Sequence, residues 1–340
     1  MSFKQVVLKA FGGPENLSVE TVDNLPVPQE GEVRVRVLAA GTGFTDTVIR
    51  QGQYVGVKEK PPFVMGYDWF GVVDELGPGT AGFKVGDFVA DMPVIGGYTQ
   101  YLCAAAEQLV PAPQGLDPAQ AVAMILSYTT AYQMLTRIRS LEPGDVCLVH
   151  AAGGAVGTAL LELGREMGLT MYGTASASKH DLLRHFGAIP IDYRSEDFVE
   201  RIDTETGGRG VDVVFDTIGG RNWSRSYRCV KRGGTLVAFG ALQITTGEES
   251  VASLLWGFFK LLAGWRLIPD GRKTSFYNIQ TRREKHPEDF KSDVRALFDM
   301  LKEGKLSPAI EATVPLDQVE DVHRRIDAAE IAGKVVLNCA

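Results

Sequence analysis

Cysteine is scarce in this chain: four residues, at 103, 147, 229 and 339, with no two at a paired spacing. That scatter excludes a cysteine-built structural zinc site and fits a reducing compartment, the cytoplasm. Long apolar runs are also missing. The longest stretch, Val251–Gly264, is interrupted by Lys260 and is too short to span a bilayer. It reads as a core helix, with an amphipathic surface helix as the alternative. The opening residues Met-Ser-Phe-Lys-Gln carry no apolar signal core and read as the start of a first strand. Basic charge is not in excess: a net charge of −7 argues against general nucleic-acid binding, which needs a basic domain. Internal repeats and low-complexity segments are absent.

What is present is an ordinary globular composition, 45% hydrophobic and 23% charged, over 340 residues, a length that suits two domains. Residues 1–121 are rich in strand signals and turn glycines. Val33-Arg-Val-Arg-Val37 alternates with period two, and Phe70–Leu76 and Phe88–Ala90 are further strands. From residue 122 the pattern changes to helices alternating with strands near 145–150, 170–174, 189–192, 211–216 and 234–239. That alternation predicts a parallel sheet with helices on both faces. Helical spacing returns at Asp293–Glu303, and Gly333–Leu337 closes the chain as a strand. The expected domains are 1–121 with 271–340, and 122–270.

The densest signal is His150-Ala-Ala-Gly-Gly-Ala-Val-Gly157, with the apolar run Asp145–Val149 before it and a helical pattern, Thr158–Met167, after it. Strand, glycine-rich turn and helix in that order form a dinucleotide phosphate cradle. Gly154 and Gly157 admit the pyrophosphate and let helix pack on strand. The helix start at Ala155 and Val156 offers free N–H groups to the anion. Ala152 replaces the usual first glycine. The next strand ends without the acid that holds an NAD ribose: the chain reads Thr174-Ala-Ser-Ala-Ser-Lys179. Ser176, Ser178 and Lys179 suit a 2′-phosphate instead, which predicts NADPH over NADH. Ser178 also suits a cap for the helix beginning near Lys179, which is compatible with that role. Tyr193, after the third strand, is placed to pack near the adenosine end. The basic segment Arg221–Arg232 reads as a solvated helix face.

In sequence, Gly41–Asp46 with Arg50–Tyr54, Pro62–Asp68, Gly82–Asp87, Gly97–Tyr101, His150–Gly157, Asp216–Gly220 and Gly333-Lys334 resemble the medium-chain dehydrogenase/reductase superfamily, in its zinc-free quinone oxidoreductase and enoyl reductase branch. The resemblance implies a GroES-like, mostly β catalytic domain from both chain ends, a Rossmann domain between them, and a cleft that holds nicotinamide and substrate. It implies cofactor contacts at Thr130, Gly240 and Lys334, and catalytic roles for Tyr54, Thr45 and Tyr67. Each has a plainer alternative: a packed tyrosine for Tyr54, a cap or turn for Thr45, a core position for Tyr67, a helix cap for Thr130. Asp46 and Arg50, spaced i, i+4, suit an ion pair. The superfamily's zinc-ligand positions hold Gly43 and Tyr67, which leaves no ligand set for a metal. Gly43 and Val48 stand where the branch usually carries asparagine and often tyrosine, which implies a roomier, more apolar pocket.

The expected function is an NADPH-dependent reductase of the activated C=C of enones, quinones or enoyl thioesters. One-electron quinone reduction and a catalytically weak NADPH-binding interaction protein are the alternatives. By resemblance the enzyme is a homodimer, joined through a Rossmann sheet edge that Gly264–Ile268 is expected to close.

Overall fold

The computed structural model describes residues 1–242 and 250–340. The chain forms two compact units, Met1–Thr129 with Arg283–Ala340, and Thr130–Arg282.

In the first unit a seven-stranded sheet runs in the order Ile310–Pro315, Lys334–Asn338, Glu32–Gly41, Trp69–Leu76, Phe88–Asp91 and Val110–Ala112, with Tyr101–Ala105 also paired to Glu32–Gly41. Period two dictates the central strand: Val33, Val35 and Val37 are buried while Arg34 and Arg36 point the other way. A smaller sheet joins Leu17–Val22, Phe3–Leu8 and Phe63–Val64.

The second unit is a parallel sheet of six strands in the order Ile189–Asp192, Thr170–Ala175, Val146–Val149, Val211–Asp216, Val230–Ala238 and Lys273–Phe276. Its central strand, Val-Asp-Val-Val-Phe-Asp, is buried throughout, as a strand covered by helices on both faces must be. The helices Ala155–Glu166, Phe198–Thr206 and Gly220–Cys229 follow strands of this sheet.

The segment Gly264–Leu267 is a 3-10 helix rather than the expected closing strand. Trp265 stacks on Tyr227, ring centroids 4.6 Å apart and 8° from parallel, so its side chain is committed to packing against a helix. The edge strand is Lys273–Phe276 instead, parallel to Val230–Ala238. The unit therefore ends at Arg282 rather than at 270. At the other boundary, the helix Pro118–Ala123 packs on Glu32–Gly41, Trp69–Leu76 and Lys334–Asn338, which keeps the chain in the first unit as far as Thr129 rather than 121.

Candidate active site

Gly154 caps the helix Ala155–Glu166 with extended backbone, and Thr158 donates its N–H to the Gly154 carbonyl at 2.8 Å. Ala155 and Val156 thus stand in the first turn, where amide N–H groups have no intrahelical acceptor. Gly157 must lack a side chain: a Cβ there would lie 2.4 Å from the Ala151 carbonyl oxygen and 2.6 Å from Ala152 Cα. The glycine-rich turn and the helix are therefore in direct backbone contact, as a pyrophosphate cradle requires.

The end of Thr170–Ala175 folds back onto this turn. A Cβ on Gly153 would meet Lys179 Cδ at 2.7 Å, so the lysine stem crosses the glycine turn. Ser176 Oγ and Ser178 Oγ are 3.1 Å apart. Neither serine caps the following helix through its side chain, so the capping reading of Ser178 does not hold. Tyr193 is 54% exposed, with the Arg194 guanidinium 5.7 Å from its ring centroid. Gly240 lies against the loop after Val211–Asp216: a Cβ there would be 2.3 Å from Thr217 Oγ1. Thr130 is buried inside the helix Thr129–Gln133 and is not at a helix cap.

In the first unit, the hydroxyls of Tyr54 and Tyr67 are 2.7 Å apart, with the rings edge-on at 88°. Tyr67 is fully buried and Tyr54 only partly. Burial, with Tyr54 beside it, pushes the Tyr67 phenol well above its ordinary pKa, so Tyr67 stays protonated. Thr45 lies half-buried in the first turn of the helix Phe44–Arg50.

Asp46 and Arg50 do not pair with each other. Asp46 Oδ2 accepts the Gly43 N–H at 2.9 Å, and Arg50 Nη2 reaches Asp327 at 2.7 Å. The short helix turns both side chains inward, where each finds another partner: the amide of its N-cap residue Gly43, and the distant segment Val319–Asp327.

Lys334, like Asp46 and Asp68, is buried. Its ammonium donates to the Thr42 carbonyl at 3.2 Å and to Ser127 Oγ at 3.5 Å. Gly41 sits over this group; a Cβ there would be 2.4 Å from Asp68 Oδ1 and 2.8 Å from Lys334 Nζ. Burial and the neighbouring Asp68 push the Asp46 carboxyl up to about 7, with Lys334 opposing. Burial likewise raises Asp68. No local pattern marks this carboxylate pair, because Asp46 lies on the helix Phe44–Arg50, Asp68 just before the strand Trp69–Leu76 and Lys334 in the closing strand, and they meet only in the fold. Among the described residues, no group of three or more His, Cys, Asp or Glu side chains is placed to hold a metal ion.

Residues 29–114 match the alcohol dehydrogenase GroES-like domain, and residues 186–337 match the family described as zinc-binding dehydrogenase. A 2-haloacrylate reductase of Burkholderia sp. is 32% identical over 337 residues, 97% of each chain. The synaptic vesicle membrane protein VAT-1 homolog of Danio rerio is 31% identical over 342 residues, 99% of this chain and 70% of its own. The Escherichia coli quinone oxidoreductase, solved with NADPH, superposes with a TM-score of 0.85 at 26% identity, over 98% of this chain and 99% of that one. A GroES-like unit joined to a Rossmann unit defines an oxidoreductase architecture. The chain belongs to the medium-chain dehydrogenase/reductase family, in its quinone oxidoreductase and enoyl reductase branch.

Proposed function

We propose that the protein is an NADPH-dependent reductase of activated C=C bonds in enones, quinones or enoyl thioesters, working without a metal. The observation that carries this reading is the Tyr54–Tyr67 hydroxyl pair, a protonated, hydrogen-bonded donor at the position where zinc relatives hold a metal ligand. The quinone oxidoreductase and 2-haloacrylate reductase names of its relatives support the substrate class. NADPH is favoured by the end of the second Rossmann strand, where Ser176, Ser178 and Lys179 gather at the glycine turn without a carboxylate. The amides of Ala155, Val156 and Gly157 would hold the pyrophosphate, and Lys179 with the two serines the 2′-phosphate. When bound, the cofactor supplies a hydride.

The chain's own groups then manage charge and protons. As the β-carbon is reduced, negative charge develops on the substrate carbonyl, and the Tyr54 hydroxyl stabilises it by hydrogen bonding. Tyr67, dry and protonated, fixes the Tyr54 hydroxyl in place. Protonation of the α-carbon completes the reduction, with Tyr54 or Thr45 as the donor. Gly43 and Val48 leave room beside these groups for an apolar substrate. Thr130, Tyr193, Gly240 and Lys334 take the supporting cofactor roles, Lys334 by holding the Thr42 carbonyl and the Ser127 hydroxyl in register.

We also propose a cytoplasmic homodimer, paired through the edge strand Lys273–Phe276 and the exposed apolar face of Val251–Leu262, which carries Leu255, Trp256, Phe259 and Leu262. No helix among the described residues is long and apolar enough to cross a membrane. The test of function is NADPH oxidation with a panel of small enones, quinones and enoyl thioesters. Turnover of at least one class is expected. NADPH binding with no turnover across the panel would overturn the enzyme reading.

A further inference from the structure

A chain of buried side-chain hydrogen bonds runs beneath the glycine-rich turn, and none of the roles above uses it. His150, the residue that enters the turn, has Nδ1 3.0 Å from Thr174 Oγ1 and Nε2 3.0 Å from Ser226 Oγ. Ser226 donates to Asp216 Oδ2 at 2.6 Å. Asn222 donates to the same oxygen at 2.9 Å, and the amides of Ile218 and Gly219 donate to Oδ1 at 2.8 and 3.2 Å. His150, Thr174, Asp216 and Ser226 are all buried, and the Phe198 ring packs edge-on against the imidazole at 4.6 Å.

Proton counting gives this chain a direction. Among the described residues, the amides of Ile218 and Gly219, the Asn222 side chain and the Ser226 hydroxyl all donate to the Asp216 carboxyl, which accepts from each. The single Ser226 proton is committed to it, so Ser226 can only accept from His150. The imidazole therefore carries its proton on Nε2, and its bare Nδ1 accepts from the Thr174 hydroxyl. Hydrogen bonds thus run one way, from Thr174 through His150 and Ser226 to Asp216.

The four residues join the ends of three adjacent strands, Thr170–Ala175, Val146–Val149 and Val211–Asp216, to the helix Gly220–Cys229. That rim, past the carboxyl ends of parallel strands, is where open α/β sheets bind ligands. Directly after His150, Ala151 takes a left-handed conformation at φ 52°, unfavourable for alanine and held only by its surroundings. On the far side, Gly219 is in backbone contact with the next loop: a Cβ there would be 2.8 Å from Ala241 Cα.

We propose that Thr174, His150, Ser226 and Asp216 form a positioning relay that holds the glycine turn and the Thr217–Gly219 loop at the spacing a dinucleotide needs. The proposal rests on the dinucleotide-binding reading above. The relay residues position the loops and do not touch the reacting atoms. Its effect is therefore on cofactor affinity, with little on turnover once the cofactor is saturating.

Two measurements test it. Nitrogen NMR of the unmodified protein should show His150 as the Nε2–H tautomer. An Nδ1–H tautomer would overturn the relay whatever the cofactor. Ser226→Ala leaves the imidazole N–H without its acceptor, and Thr174→Val removes the other end with almost no change of shape. Each should raise the NADPH dissociation constant about tenfold, the usual cost of one unmade buried hydrogen bond, with kcat at saturating NADPH within about twofold. Unchanged NADPH affinity in both variants would overturn the relay while leaving the function intact. An unmodified protein that fails to bind NADPH would overturn the underlying reading instead. Loss of kcat equal to the loss of affinity would assign these residues to general folding and overturn the positioning role.

Discussion

Tyr54 meets Tyr67 hydroxyl to hydroxyl at 2.7 Å, one phenol partly exposed and the other fully buried. This geometry makes Tyr54→Phe the direct test of the proton-donor role. Turnover of an enone should fall by about 10²–10³, the typical loss of one oxyanion donor, with NADPH affinity nearly unchanged. A quinone, which accepts hydride readily and gives an aromatic product, should be much less affected. Steady-state rates on both substrates check this. Equal enone rates for variant and unmodified enzyme would make Tyr54 a packing residue.

Lys179 crosses the glycine turn at Gly153, so its charge lies close to the cradle. Lys179→Ala should weaken NADPH binding roughly ten- to a hundredfold, the worth of about 1.5–3 kcal/mol for a charge-assisted contact. NADH should lose far less. Fluorescence titration with each cofactor measures the ratio, and equal losses would show that Lys179 does not meet the 2′-phosphate.

Asp46 predicts a dependence of stability on pH. Its carboxyl is raised from 3.8 to about 7, so the folded protein keeps a proton that the unfolded chain releases above pH 4. Stability from this group therefore falls as pH rises from about 4 to about 7, by ~4 kcal/mol at most. His323 acts in the opposite sense. Burial and the nearby Arg50 lower it to about 3, so stability is lost as pH falls from about 6.5 towards 3. Asp46→Asn keeps an acceptor for the Gly43 amide and removes the ionisation. Its Tm should exceed that of the unmodified protein near pH 8 and match it near pH 5. A lower Tm near pH 8 would mean that the carboxylate is ionised and stabilised by Lys334.

Turnover should survive chelation. By resemblance to the family's zinc members, the ligand positions hold Gly43 and Tyr67, and no group of three or more His, Cys, Asp or Glu among the described residues is placed to hold a metal ion. Loss of rate in EDTA, restored by added zinc, would show that a metal takes part.

Association should reach the dimer at micromolar concentration by light scattering. Trp256 and Phe259, stacked on each other at 5.3 Å on the exposed face of their helix, are the largest apolar groups beside the edge strand. Trp256→Glu with Phe259→Glu should shift the protein to monomer. A strictly monomeric unmodified protein would remove the proposal.

Much of the architecture was legible because it follows local periodicity. Alternating valines marked Glu32–Gly41, short strand segments alternating with helical stretches marked the parallel sheet, and Gly154 and Gly157 marked the turn between strand and helix. The missing acid after Thr174 was equally local, since a ribose contact sits at a fixed distance past the glycines. Gly264–Ile268 misled because an apolar pentapeptide carries no sign of its partner, and Trp265 had Tyr227 to stack on. Ser226 could have been read inward, since Trp223, Ser226 and Tyr227 share a helix face. The i, i+4 spacing of Asp46 and Arg50 was correct as helix geometry and wrong as an ion pair, because burial gave each a better partner.

The sequence by itself thus determined the order of most elements and the glycine-rich turn between strand and helix, all properties of neighbouring residues. Only the tertiary structure decided the Tyr54–Tyr67 hydrogen bond, the burial of Asp46 and Asp68 near Lys334, and the run from Thr174 through His150 and Ser226 to Asp216. Lys334 lies nearly 300 residues from Asp46, and Ser226 is 76 from His150. What joins them is the packing of helices against paired strands and the exclusion of water, which a linear pattern does not encode.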